Sequence, residues 1–466
     1  MADEEFDVVG FPSQLAYHFM LSSGNYTLIH HILIGEKRGV LTVGVRNLRP
    51  QPLGTPTASI PPWKTITWCG RAPARLECLT MASILFVNKA SIDSLGGAET
   101  RIQEIATRWA TSGHKVYAIC AKTSVDQPLS AVENGVTVRR VRVMPDRLLR
   151  RFCPPHYLPQ ALFYIVGPPW ILYYYRRWRI DVIRDSMSPF PGLSLLAPIL
   201  GCRAIVVLHI LFGDYYQWRH FYSAPYAFMG MIAERLLLKG WLSYKAIVTD
   251  SPWLASYIRE RAERCGKVQA IENGVNFAAI AKRAPRGAIR RLVNAARLVE
   301  HKGQTELVEA GRKLRDQGVP FELDIYGNGE LEPVLRKIIR ANGLESYIRL
   351  FPALSHDELL RRLCEYDLYV MSSRSEGLPV ILLEAMAAQL PVVVAARPYA
   401  TTLFDPTTIQ TYEPGDPHDL AKIIAQAIKN PEETEKQAGR AHEWVQKLSW
   451  DRTAEEELRL LEALQQ

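Results

Sequence analysis

Long hydrophobic runs are missing from this chain. The two most apolar stretches, 161–175 and 192–212, are interrupted, the first by Gly167-Pro168-Pro169 and the second by Arg203 at its centre. Neither supplies the roughly 20 apolar residues that a membrane-crossing helix needs. The amino terminus, Met1-Ala2-Asp3-Glu4-Glu5, is acidic where a secretory signal is basic, and no apolar core of a signal follows it. Cysteine gives no framework either. Cys69, Cys78, Cys120, Cys153, Cys202, Cys265 and Cys364 are scattered without a C-x-x-C pair, which argues against a zinc site or a redox dithiol and for a reducing compartment. The expectation is a cytosolic protein, with peripheral association at the inner face of a membrane raised by the charge pattern below.

Two further absences bear on chemistry. A dinucleotide site needs G-x-G-x-x-G directly after a strand and an acidic residue ending the next one. Here the loop 89–95 is too long, and the second strand ends in Ala121-Lys122. This disfavours a nicotinamide oxidoreductase. No Asp-x-Asp lies between strands to hold a divalent ion, so neither a metal nor a resident cofactor is expected.

What is present is enough chain for two domains and an extension, 466 residues with 48% hydrophobic and 22% charged content. Residues 1–80, with Pro50, Pro52, Pro56, Pro61 and Pro62, show one strand-like run at 27–33 and read as a disordered extension or as the product of a start codon placed upstream of Met81. From residue 83 strands and helices alternate, as in a mostly parallel sheet. Strands are expected at 84–88, 115–121, 136–143, 181–185, 204–209, 246–251 and 268–272, then at 291–296, 321–326, 348–351, 368–373 and 391–396. The boundary falls near 276–285, giving domains 81–276 and 277–448 and a last helix over 449–466.

Net charge is +8, and the segment 139–184 alone holds ten arginines against Asp146 and Asp181. Between its arginine clusters lies the uncharged run 152–175, rich in Tyr, Phe, Trp and Pro. Rings at headgroup depth with guanidinium groups on phosphates suit an anionic membrane surface; a buried aromatic helix with solvated flanking charges fits equally. No nucleic-acid partner is expected.

Chemistry-bearing residues cluster at strand ends. Ser375-Glu376-Gly377-Leu378-Pro379 leads from a strand into the apolar helical stretch 380–388, with Glu384 eight positions after Glu376. Orphan N–H groups and the helix dipole favour phosphate at such a start, and the two carboxylates suit hydroxyls of a sugar and a ribose. An acidic cap with a surface glutamate is the plain alternative. Arg297 and Lys302, in Arg297-Leu298-Val299-Glu300-His301-Lys302-Gly303, follow the strand 291–296. They can neutralise a departing diphosphate without a metal. Gly96-Gly97-Ala98-Glu99 opens a helix after the first strand and lets backbone amides approach an anion. Tyr326-Gly327-Asn328-Gly329 ends another strand as a turn into a helix. His209 closes the apolar strand 204–208, where a histidine can equally be structural.

From residue 81 to about 461 these motifs resemble the retaining glycosyltransferases of group 1, family 4. The resemblance implies the GT-B architecture: an α/β fold of two Rossmann-like domains facing across a cleft, with the C-terminal helix crossing back to the first. It implies that Glu376 contacts the donor sugar and Glu384 the ribose, and that Arg297 and Lys302 bind the diphosphate. Gly97, Gly327, Gly377, Leu378 and Pro379 would line the donor site, and His209 would position sugar and acceptor. Asn273-Gly274-Val275 matches the hinge, with Asn276 where aspartate is usual. The donor would be a nucleotide diphosphate sugar and the acceptor a glycan or lipid-linked hydroxyl, with retention through front-face attack. Departures lie at Ala396-Arg397-Pro398-Tyr399-Ala400-Thr401, where the family has a glycine pair and a glutamate, and at Phe404-Asp405-Pro406. Rival readings are a nucleotide-sugar epimerase or sugar phosphorylase on the same fold, and a non-catalytic nucleotide-sugar-binding subunit.

Overall fold

The computed structural model describes four strands between residues 14 and 67, and residues 81–464 apart from breaks at 92–95, 153–156, 187–202, 210–226 and short gaps between 229 and 265. The chain divides into two compact units, Met1–Cys78 and Leu79–Gln466.

In the first unit, β1 (Gln14–Ser23), β2 (Tyr26–Lys37), β3 (Val40–Asn47) and β4 (Lys64–Thr67) form an antiparallel sheet in that order. Gln14 lies opposite Gly35, His30 opposite Asn47 and Thr42 opposite Thr67. The sequence pattern leads one to expect a strand at 27–33. β2 contains that strand and three others pair into a sheet with it. β1 escaped notice because Ala16 and Met20 sit between Leu15, Tyr17, Phe19 and Leu21, blurring the period of two.

The second unit contains two sheets. The first comprises β5 (Ser83–Asn88), β6 (Lys115–Ala121), β7 (Ser130–Glu133), β8 (Val136–Val141), β9 (Val182–Ser186), β10 (Arg203–Leu208), β11 (Ala246–Thr249) and β12 (Lys267–Ala270). Its order is β12-β11-β10-β9-β5-β6-β8-β7, parallel except for the β7–β8 hairpin. That hairpin, which the sequence pattern did not reveal, turns at Asn134 and Gly135, both at positive φ as a two-residue turn requires. The second sheet comprises β13 (Arg291–Ala295), β14 (Glu322–Tyr326), β15 (Ile348–Phe351), β16 (Leu368–Met371), β17 (Val392–Ala395) and the unforeseen β18 (Gln410–Tyr412), in the order β15-β14-β13-β16-β17-β18.

Parallel strands covered by helices on both faces must be apolar throughout. Ile84, Leu85, Phe86 and Val87 of β5 are all fully buried, as are Val393, Val394 and Ala395 of β17. Strand order reverses between β5 and β9 in one sheet and between β13 and β16 in the other. Loops leaving the two strands at such a point diverge to opposite faces and open a crevice at the carboxyl ends, where ligands of open α/β sheets bind.

The final helix, Trp450–Ala463, starts at Ser449, whose side chain accepts from the Arg452 N–H. It crosses back to the helix Gly97–Thr111 on the first sheet. Trp109 Nε1 donates to the Ala454 carbonyl at 3.0 Å, and Leu460 and Leu461 join the core of Ile102 and Ile105.

The helix Tyr157–Trp178 runs unbroken through Gly167-Pro168-Pro169, which corrects the expected interruption. Phe163 and Ile171 anchor it in the core beneath β6 and β8, and this packing overrides local propensity. No helix among the described residues is long and apolar enough to cross a membrane. The arginines of this region split in role. Arg140 is buried against Ser91 and Glu133, and Arg184 is buried against Glu457, so neither is available to a surface. Most of the apolar run 192–212 lies outside the described residues.

Candidate active site

β13 pairs with β16, Leu292 opposite Leu368, so the loops leaving these strands are neighbours. The Ser372 hydroxyl donates to the Lys302 carbonyl at 2.8 Å, and the Arg374 N–H donates to the His301 carbonyl at 2.8 Å. Gly303 is required here. It stands at φ +68, and a Cβ would overlap the Ser372 carbonyl oxygen. This lacing brings the Lys302 ammonium onto Glu376 Oε1 in an ion pair whose side chains are 16% and 13% exposed.

The electrostatics around that pair follow from its burial. Desolvation works against the Glu376 carboxylate, but Lys302, through its charge and its hydrogen bond, and a hydrogen bond from Ser373 outweigh it and hold the group below the ordinary glutamate range. Next to it, burial first and then the Lys302 and Arg297 charges push the His301 imidazole down to about 3. Arg297 itself is exposed. Lys89, just after β5 on the first sheet, is lowered by burial and by Arg297 and raised by Glu99. Cationic groups from both sheets thus crowd one place, an arrangement that favours a bound polyanion.

Backbone donors point the same way. The helix Gln304–Asp316 begins after Gly303 and the helix Val380–Ala387 after Pro379, and neither has a side-chain cap on its first N–H groups. The Gly97 end of helix Gly97–Thr111 faces the second of these: a Cβ on Gly97 would lie 3.6 Å from Val380 Cγ2.

The loop 376–379 is clamped from the first sheet. A Cβ at Gly377 would overlap the His209 carbonyl oxygen and the Asp250 carboxylate, so only glycine permits this approach. Trp253 Nε1 donates to the Gly377 carbonyl at 3.3 Å. His209, following β10, places Nδ1 3.3 Å from Asp250 Oδ2 at the end of β11. Asp250 Oδ1 is buried with no hydrogen-bond partner among the described residues. The Leu378 side chain is 2% exposed and belongs to the core, so this residue can offer a ligand only backbone.

Glu384 is nearly buried and accepts from His356 Nε2 at 2.6 Å, a hydrogen bond that raises the His356 pKa against the effect of burial. Gly327 and Gly329 are demanded by packing: a Cβ on either would overlap the backbone of Ala296 or Leu298. The departing segment 396–401 forms the helix Pro398–Thr401, and the buried Tyr399 hydroxyl donates to the Ser373 carbonyl at 3.1 Å.

The structure therefore gathers Gly97, His209, Arg297, Lys302, Glu376, Gly377, Leu378 and Pro379 around the facing strand ends, sets Gly327 against Ala296 beside Arg297, and holds Glu384 inside the helix Val380–Ala387 on His356. Sequence reasoning missed Asp250 and His356. Asp250 carried a signal, an acidic residue closing an apolar strand, as His209 closes its neighbour; His356, in a polar helix start, carried none.

Residues 279–444 match the family described as glycosyl transferases group 1, and residues 96–274 match the glycosyl transferase 4-like domain. The amylovoran biosynthesis glycosyltransferase AmsK of Erwinia amylovora is 36% identical over 141 residues, 29% of this chain and 35% of that protein. A GDP-mannose-dependent monoacylated alpha-(1-6)-phosphatidylinositol monomannoside mannosyltransferase of Corynebacterium glutamicum is 27% identical over 168 residues, 34% of this chain and 42% of that one. The chain thus spans about a third to two fifths of the length of these curated relatives. In fold it is similar to sucrose-phosphate synthase from Thermosynechococcus elongatus, with a TM-score of 0.69 at 17% identity over 82% of this chain and 99% of that one. With each sheet and its helices matched by a glycosyl transferase family and the pair sharing the architecture of that solved structure, the chain belongs to the group 1 glycosyl transferases of GT-B fold.

Proposed function

We propose that this protein transfers a sugar from a nucleotide diphosphate sugar to an acceptor hydroxyl, with retention of anomeric configuration, in the assembly of a glycan or glycolipid. The observation that carries the reading is the Lys302–Glu376 pair, set at the strand-order reversal beside two uncapped helix N-termini. Lys302 and Arg297 stabilise the diphosphate as its charge grows, Glu376 orients the sugar hydroxyls, and Glu384 receives the ribose. Gly97, Gly327 and Gly377 bring backbone close to the donor, Pro379 opens the helix whose first N–H groups face it, and Leu378 contributes through its peptide. His209, steadied by Asp250, faces the sugar and acceptor.

In the step itself the bond from the anomeric carbon to the diphosphate oxygen breaks and a bond to the acceptor oxygen forms on the same face. The acceptor proton passes to the departing phosphate oxygen, and no metal is needed. Two relatives, one named for amylovoran biosynthesis and one for GDP-mannose-dependent transfer to a phosphatidylinositol monomannoside, support the donor class and a glycan or lipid-linked acceptor. The test is turnover of uridine, guanosine and adenosine diphosphate sugars against an acceptor panel. Acceptor-dependent release of nucleoside diphosphate is expected; turnover with phosphate or with no acceptor would favour a phosphorylase or an epimerase, and donor binding without turnover a binding subunit.

For the acceptor side, the helix Tyr157–Trp178 supplies a membrane-facing surface at the inner leaflet. Tyr174 and Trp178 pack inward, whereas Ile165, Trp170 and Tyr173 are exposed, Tyr173 beside Arg176 and Arg177. Sedimentation with anionic vesicles is expected to exceed that with neutral ones and to weaken as salt rises. Equal sedimentation would remove the membrane from the proposal.

A further inference from the structure

We propose that Asn273 is a positioning residue, fastening the 376–379 loop to the crossover helix Trp450–Ala463 through a buried hydrogen-bonded relay; its catalytic consequence rests on the donor-site reading of that loop. Asn273 is 2% exposed. Its Nδ2 donates to the Leu378 carbonyl at 2.6 Å, and its Oδ1 accepts from Arg101 Nη1 at 2.8 Å. The same Nη1 donates to the Ile271 carbonyl at 2.8 Å. Arg101 Nε then reaches Glu457 Oε1 of the crossover helix at 3.1 Å, and Glu457 Oε2 accepts from Arg184 Nε of β9 at 2.7 Å.

The chemistry explains the residue type. A primary amide accepts from the guanidinium on its oxygen and donates to the carbonyl from its nitrogen, so one short side chain serves both partners through separate atoms, and glutamine would overreach a site this closed. Next to it, a Cβ on Gly274 would overlap the backbone of Ser449 and Trp450, and the Val275 N–H donates to the Leu448 carbonyl at 3.3 Å. The hinge is thus pressed against the start of the crossover helix on one side and tied to the loop on the other. Leu378 directly precedes Pro379, the residue that opens helix Val380–Ala387, so a shift of its carbonyl moves Gly377, Glu376 and the helix entry together. Docking of the C-terminal helix therefore sets the loop that holds Glu376.

Hydrogen–deuterium exchange on the full chain tests the relay without substrate. Asn273→Asp keeps an acceptor for Arg101 but loses the donor to Leu378 and sets a carboxylate against that carbonyl. Exchange in 376–386 is expected to rise about tenfold while 450–463 and β13 stay as in the wild type. Asn273→Ala cuts both ties and is expected to loosen 376–386 and 450–463 alike. In the turnover assay Asn273→Asp should lower kcat about tenfold with the acceptor KM unchanged. Equal exchange at 376–386 in wild type and Asn273→Asp overturns the relay, and faster exchange with unchanged kcat overturns the positioning role. A wild type that turns over no nucleotide sugar, with the exchange result as expected, overturns the donor reading and leaves the relay in place.

Discussion

Lys302→Ala is expected to lower kcat/KM for sugar transfer by about 100- to 1,000-fold, the usual cost of removing one preorganised group from a developing negative charge. Two losses combine. The departing diphosphate forfeits a point charge in a partly desolvated crevice, where that charge acts more strongly than in water. Glu376, which burial disfavours as a carboxylate and Lys302 restores, also loses its main partner, so its pKa rises and part of its capacity to accept hydrogen bonds from sugar hydroxyls is lost. Lys302→Arg returns the charge but not the compact geometry, and recovers only part of the rate. Steady-state kinetics on the three proteins checks the order wild type, arginine, alanine. A Lys302→Ala enzyme with undiminished kcat/KM would contradict the assignment.

Glu457→Ala is expected to cost about 3–5 kcal/mol of stability, the range for breaking a buried ion pair by deleting one partner. Glu457, Arg101 and Arg184 are fully buried, and removal of the carboxylate strands two guanidinium groups without their counter-charge. Against a typical total of about 5–15 kcal/mol this is a large fraction. Urea unfolding, with an unchanged m-value, measures it. The same group gives a pH dependence with a definite sign. Burial opposes the charged form, but Arg184 and Arg101 bring the Glu457 pKa from 4.5 down to about 2. A depressed carboxylate stabilises the fold fully above its unfolded pKa, so this contribution is intact above about pH 4.5 and disappears as pH falls toward about 2. In Glu457→Ala that part of the acid-induced loss should be missing.

How much of this was legible in the sequence depends on how each feature is encoded. The apolar cores of β5, β13, β16 and β17 announce themselves because both faces are covered, and the residues just beyond their ends are the ones that face the crevice. Arg297, Lys302 and Glu376 are found that way. Partnerships between segments distant in sequence leave no such trace: His209 and Asp250, at two strand ends, are 41 positions apart, and His356, at a helix start, is 28 from Glu384. Motif and structure can also demand the same glycine for different reasons. Gly327 was read as a place of close approach to a nucleotide, and the backbone of Ala296 already requires it. Across Tyr157–Trp178 tertiary packing overruled the Gly-Pro-Pro signal, while among the region's arginines Arg140 and Arg184 proved to be internal partners rather than surface charge.

The reaction proposed for the cleft is tested most directly by following the anomeric centre by nuclear magnetic resonance during turnover of the accepted nucleotide sugar. The expected result is acceptor-dependent release of nucleoside diphosphate and a product with the donor's own anomeric configuration. A product of inverted configuration, or a donor consumed without any acceptor, would contradict it.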